Sequence, residues 1–370
     1  MVDVKTILFV FLFFINLSVK IPFKFLEIPS YRISLLYVLV ILSIVICSFF
    51  KKYLLPIYTI IFILLIYLFL NSLLIGNFSY GFEKLTLGLM FPLAIFNLLI
   101  FTNMSTNSVI NGLICSTLII AVTAIVFKLY FGFFTRGVSF GFLGPITFSW
   151  INGFSFIALL FKKSKKNIDQ FLMFFFFLMI IWSGSKGPMI AILVLMILNL
   201  KFFIPLGSNK KLKYFIALSC FFIFLFLLKD YVRSLNGLYD IIVSPKEYIE
   251  NQGKGSVGIR LDLYKQAFFL FVEKPFFGHG FGSWADISNT KFKYPHNIVL
   301  ELMAETGFIG LLFFILIIFL GRGNNLQLNA ISLFGVIALL FSGDFSYFRY
   351  VLLFILFSFN YTFSKNELYI

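Results

Sequence analysis

Charge is what this chain has least of. Only 12% of its 370 residues are charged, while 61% are hydrophobic. A soluble globular domain could not hide that much apolar surface, so that class is excluded. Cysteine is scarce too. Cys47, Cys115 and Cys220 all fall inside apolar runs, which leaves no disulfide framework and no Cys/His spacing suited to zinc. There is no Walker-type phosphate loop and no Asp-x-Asp pair in an expected outer loop, so a metal-dependent enzyme acting on nucleotide sugars is disfavoured. Ion-coupled transporters need several ionisable residues in mid-membrane, and the centres of most apolar runs here hold none.

Phenylalanine, by contrast, occurs 56 times. Repeated apolar runs of about 18 residues or more read as membrane-spanning helices, because in lipid every backbone N–H and C=O must be satisfied within the protein. The runs are too long for barrel strands. An all-α, polytopic membrane protein with about 12 transmembrane helices is expected. The helices are placed at 6–19, 33–50, 53–75, 83–101, 109–133, 145–161, 168–182, 187–206, 212–229, 296–320, 326–342 and 345–363. The first resembles a signal-peptide core but lacks a cleavage site, so it reads as a retained helix.

The net charge of +15 would suggest nucleic acid in a soluble protein; here the basic residues follow membrane topology, and no nucleic-acid partner is expected. With the N-terminus inside, thirteen lysines and arginines fall in inner segments and six in short outer ones. By the positive-inside rule both termini are then cytoplasmic. The chain divides into a bundle of about nine helices at 1–229, a long outer loop at 230–295 and about three helices at 296–370. The loop is nearly neutral, with eight Lys/Arg and seven Asp/Glu. Its "RLDLYKQAFFLFVEKPFFG" stretch has helical spacing and suggests an amphipathic helix on the membrane or over the bundle.

Both histidines, His279 and His296, belong to this loop or its junction with the tenth helix. Asn297, Glu301 and Glu305 follow at intervals of four and so share one helix face. Glu305 falls about 13 Å beyond His296 along a helix. An ionisable group at such depth costs about 2.5–3.5 kcal/mol and normally faces a bundle interior or wet cavity. An acidic residue in a first helical turn is also favoured by the helix dipole, which accounts for Glu301 better than for Glu305. Arg136, Lys186 and Arg260 are outer basic residues; separately they read as headgroup, snorkelling or solvated charges, and together they suit a diphosphate.

These residues resemble the O-antigen ligase/polymerase family of bacterial membrane proteins. That pattern is an arginine, a short helix, "P-x-x-G-x-G-x-G", a spacer and "H-N-x-x-L-x-x-x-x-E-x-G-x-x-G". Here it reads Arg260, "PFFGHGFG", then His296, Asn297, Leu300, Glu305, Gly307 and Gly310. "SGSKGPM" resembles the family's S-R-G turn, with Lys186 where arginine is usual. The resemblance implies a GT-C-like fold with one large periplasmic loop in the bacterial inner membrane. It implies a metal-independent glycosyltransferase without a cofactor, whose donor is a glycan on undecaprenyl diphosphate and whose acceptor is another glycan. Membrane lipid and a chain-length regulator protein are the other expected partners. On this reading His296 is the catalytic base, for which an ordinary histidine pKa of about 6.5 is suited. Glu305 orients it or holds Arg260 or Lys186. Arg260, Arg136 and Lys186 bind the donor diphosphate, and Asn297, His279 and Glu301 support.

Two enzymes share this signature. An O-antigen polymerase joins lipid-linked repeat units; an O-antigen ligase moves the finished chain to lipid A–core. Phe richness and divergence outside the loop favour the polymerase. A flippase for the same lipid-linked units is the non-catalytic alternative, but it needs polar groups across the membrane rather than at one face.

Overall fold

A computed structural model describes residues 3–18, 51–133, 139–141, 143–162, 164–198, 256–288 and 290–366. The expected helices at 33–50 and 212–229, and Arg136, lie outside the described residues. The remaining ten expected helices each coincide with helical structure where described, and residues 199–206 of the one expected at 187–206 lie outside the described residues. Among the described residues there is no strand, only an isolated bridge between Phe140 and Leu143. The chain forms two compact units, one of Met1–Ser116 with Asp262–Ile370 and one of Thr117–Leu261.

The first unit begins with α1 (Val4–Ser18) and α2 (Leu55–Leu74). Next come α3 (Phe78–Leu85), a π-helical turn at Thr86–Met90 and α4 (Phe91–Phe101), which run as one rod. Helix α5 (Thr106–Phe131) follows. Pro56 and Pro92 fall in the first turns of α2 and α4, where a missing N–H costs no helical hydrogen bond. Asn77 caps α3 by accepting from the Tyr80 N–H. Later in the chain are α9 (Ser256–Glu273), the single turn α10 (Trp284–Ile287) and α11 (Ile298–Leu320). The unit ends with α12 (Leu326–Ser342), a 3₁₀ turn at Phe345–Tyr347 and α13 (Phe348–Asn366). Helix α11 packs on α2, and α13 packs on α12, α4 and α1. Phe9 and Phe13 of α1 meet Phe357 and Phe354 of α13.

Among the described residues, four segments are long and apolar enough to cross a membrane: α2, the rod Phe78–Phe101, α5 and α11. On α2 the exposed side chains Phe62, Ile66, Leu70 and Leu73 form one helical stripe suited to lipid. Six other apolar helices are shorter than this length.

The second unit holds the end of α5, α6 (Pro145–Leu160), α7 (Asn167–Trp182) and α8 (Lys186–Leu198). Helix α6 is buried almost all round, and its Ser155 hydroxyl bonds Thr117 of α5 at 2.7 Å.

The helix expected at 296–320 differs in two ways. It starts at Ile298, with Asn297 as its cap, so His296 precedes the helix instead of opening it. It is also broken at Gly307 (φ 65°, ψ −160°). The helix expected from "RLDLYKQAFFLFVE" is present as α9. Leu263 and Ala267 are buried on it, while Phe268, Phe269 and Val272 are exposed.

Candidate active site

The break in α11 organises the site. At Gly307 the backbone leaves helical geometry, which frees the carbonyls of Ala304, Glu305 and Thr306 and the N–H groups of Phe308 and Ile309. Unsatisfied backbone groups at membrane depth cost several kcal/mol each, so irregular backbone persists only where protein re-pairs it. The glycine-rich loop after α9 does so. The His279 N–H bonds Ala304 O at 3.0 Å and the Gly280 N–H bonds Glu305 O at 2.8 Å. In return Phe308 N–H bonds Pro275 O at 2.7 Å and Ile309 N–H bonds Phe276 O at 3.4 Å. The Tyr67 hydroxyl of α2 donates to Thr306 O at 2.6 Å. One turn along α2, the Asn71 amide takes both roles on the loop: it donates to Phe277 O at 2.9 Å and accepts from the Phe281 N–H at 2.6 Å.

Glycine is required at two of these crossings. Gly307 lies in a backbone region that only glycine occupies readily. A Cβ there would collide with the backbone of Phe276 and Phe277. Gly278 (φ 66°) lies against the backbone of Glu305 and Thr306 in the same way. The "P-x-x-G-x-G-x-G" and "E-x-G" patterns are therefore two halves of one contact.

Lys84 of α3 sits within this contact with almost no exposed area, and Glu301 and Glu305 have none. Its Nζ lies 2.5 Å from Glu301 Oε1, and 2.8 Å and 3.0 Å from the two oxygens of Glu305. A lysine has three donors, and three carboxylate oxygens surround this one. Tyr80 and Phe281 present ring faces to it at 4.8 Å and 5.6 Å. Glu305 also accepts the N–H of Gly282 and of Trp284, each at 3.0 Å. Glu301 accepts the N–H of Phe345 at 3.0 Å. One ammonium and two carboxylates thus tie together α3, α11, the glycine loop and the 3₁₀ turn. Arg260 or Lys186 was the cation expected for Glu305; the cation it holds is Lys84.

His296 stands just before this cluster, in the left-handed region (φ 62°). Histidine tolerates that region better than most residues, and such conformations gather at functional sites. Its ring packs edge-on to Tyr294 (4.5 Å between centroids) and Phe292 (5.8 Å). Asn297 accepts the N–H groups of Val299 and Leu300 at 3.0 Å and 3.1 Å, so its role here is to start the helix under His296. Burial pushes the Tyr294 phenol well above its ordinary pKa, and the negative groups around it, Asp344 and Glu301 among them, add to the effect. Tyr294 therefore stays a neutral hydroxyl beside the histidine. His279 has different partners. Its Nε2 lies 3.0 Å from Leu270 O and 3.5 Å from Glu273 Oε2, which fastens the loop to the end of α9.

Lys186 and Arg260 belong to the second unit. Lys186 is the first residue of α8, after the turn in which the Ser185 N–H bonds the Ser183 hydroxyl at 3.2 Å. Arg260 lies on α9, beside the cut between the two units. Lys84, Asn71 and Tyr67 were not singled out from the sequence. Their signal is a polar or ionisable side chain inside an apolar run, in "YLFLNSLL" and "GFEKLTLG". Asp344 is a further buried carboxylate; it accepts from Tyr347 N–H and the Ser346 hydroxyl, each at 3.1 Å, and so caps the 3₁₀ turn.

Residues 171–315 match the family model described as O-antigen ligase. Over that stretch the chain is similar to the O-antigen ligase family. The matched stretch contains Lys186, Arg260, His279, His296, Glu301, Glu305 and Gly307, whereas Lys84 and Asp344 lie outside it. The family comprises enzymes that transfer glycans, and the match does not separate polymerase from ligase. No curated protein matches the chain.

Proposed function

We propose that this protein is an O-antigen polymerase, joining undecaprenyl-diphosphate-linked repeat units at the periplasmic face of the inner membrane. Phe richness and divergence outside the loop favour the polymerase over the ligase; the observation that carries the glycan-transfer part of this reading is His296. It is one of two histidines, held in a strained backbone conformation at the start of a capped helix, within the matched domain. In the proposed reaction His296 takes the proton from an acceptor sugar hydroxyl. The oxygen then attacks the anomeric carbon of the donor glycan, and the bond to the lipid diphosphate breaks with its electrons on the leaving group. The resemblance implies that Arg136, Lys186 and Arg260 bind that diphosphate and stabilise its charge. In this scheme Glu305 acts through the loop and α11, which it holds together. No metal enters this scheme.

The second reading is an O-antigen ligase, favoured by the description of the matching family. Deleting the gene and analysing surface polysaccharide beside lipid-linked glycans separates the two. The polymerase reading expects lipid A–core bearing a single repeat and loss of the ladder. Bare lipid A–core with long chains accumulating on undecaprenyl diphosphate would make it the ligase. Single units trapped on the cytoplasmic side would mean a flippase and would remove the catalytic role of His296.

A further inference from the structure

We propose that Lys84 is a positioning residue for the transfer reaction: it ties the glycine loop and the His296-bearing start of α11 together through Glu305 and Glu301. The inference rests on the proposed glycan transfer for its catalytic consequence. The tie itself rests on geometry alone.

Lysine is costly at membrane depth and is normally kept there only with a partner. Lys84 has two, one helical turn apart on α11, and both are fully buried. The two carboxylates hold different elements. Glu305 fixes the loop through the Gly282 and Trp284 amides, and Glu301 fixes the 3₁₀ turn through Phe345. The shared ammonium holds both carboxyl groups in place. Without it, two buried carboxyl groups face each other with no cation between them, and their arrangement must change. That change loosens the amides that Glu305 holds. Because Asn297 starts α11 immediately after His296, movement of this end of the helix also moves the base. Misplacing a catalytic group by about 1 Å can lower turnover about 100-fold.

The geometry suggests the experiment. Lys84→Gln removes the ammonium that both carboxyl groups face, and adding Glu301→Gln removes the carboxyl group that then faces Glu305 unpartnered. Each variant is purified in lipid nanodiscs, and two quantities are measured: hydrogen exchange at the Gly282 and Trp284 amides, and kcat and KM for a lipid-linked glycan donor. In Lys84→Gln, exchange at both amides should quicken and kcat should fall about 100-fold with donor KM within about twofold. The double variant should slow the exchange again and recover at least about tenfold in kcat. Unchanged exchange and kcat in Lys84→Gln would overturn the proposal. So would a loss of activity that only follows the loss of folded protein, or a double variant no better than the single one. If the unsubstituted protein transfers no glycan, the functional reading falls, and the amide exchange still decides whether Lys84 holds the loop.

Discussion

From Ile298 to Thr306, α11 buries two carboxylates and is gripped by a loop; from Phe308 to Leu320 it carries only apolar side chains. In the second half Phe308, Leu312, Ile315 and Phe319 are exposed and follow one another at helical spacing, a stripe suited to lipid. In the first half Glu301, Leu302, Ala304, Glu305 and Thr306 are all buried. Gly307 divides the two. The difference shows how one apolar segment can both cross a membrane and carry a polar site. The break exposes backbone groups, the loop satisfies them, and the same loop brings the amides that accompany a buried charge. The second half has no such partners and needs none, because an intact helix satisfies its own backbone.

The contrast can be broken most severely at Glu305. Glu305→Ala removes the acceptor of Lys84 and of two loop amides at once. Breaking a buried ion pair on one side costs about 3–5 kcal/mol, so thermal unfolding should come markedly earlier and glycan transfer should fall about 100-fold. Gly307→Ala should be intermediate. The backbone strain alone is about 1–3 kcal/mol, and the new Cβ must displace the loop at Phe276. Faster proteolysis within 275–284 would report that displacement. Phe319→Ala, on the exposed stripe, should change stability by no more than about 0.5 kcal/mol and leave transfer unaltered. If Phe319→Ala proved as damaging as Glu305→Ala, the division of α11 into two halves would be wrong.

Much of this arrangement was legible in the sequence. Apolar runs located the helices, because the pattern and the structure are both local. The family pattern from Pro275 to Gly310 marked the loop and the helix as one stretch, and the two are in contact; His296 and Glu305 stood out as polar groups beside or within an apolar run. What stayed hidden depends on distance along the chain. Lys84 and Glu305 are 221 residues apart, Asn71 and Phe281 are 210 apart, and no periodicity links them. Gly307 could have been a glycine of close helix packing; only the loop lying against it makes it a break. Helix spacing also put Asn297 on the same face as Glu301 and Glu305, whereas its side chain turns back to cap the helix. A capping residue and a first-turn residue carry the same signature until the helix start is known.

The most direct measurement of the central claim compares the purified protein with His296→Ala, reconstituted in vesicles with an undecaprenyl-diphosphate-linked repeat unit, and follows glycan length. The account predicts lengthened glycan from the unsubstituted protein. It predicts a drop of about 10²–10⁴-fold for a His296→Ala protein that still inserts and folds, the usual contribution of a general base. Transfer by His296→Ala at the unsubstituted rate would contradict it.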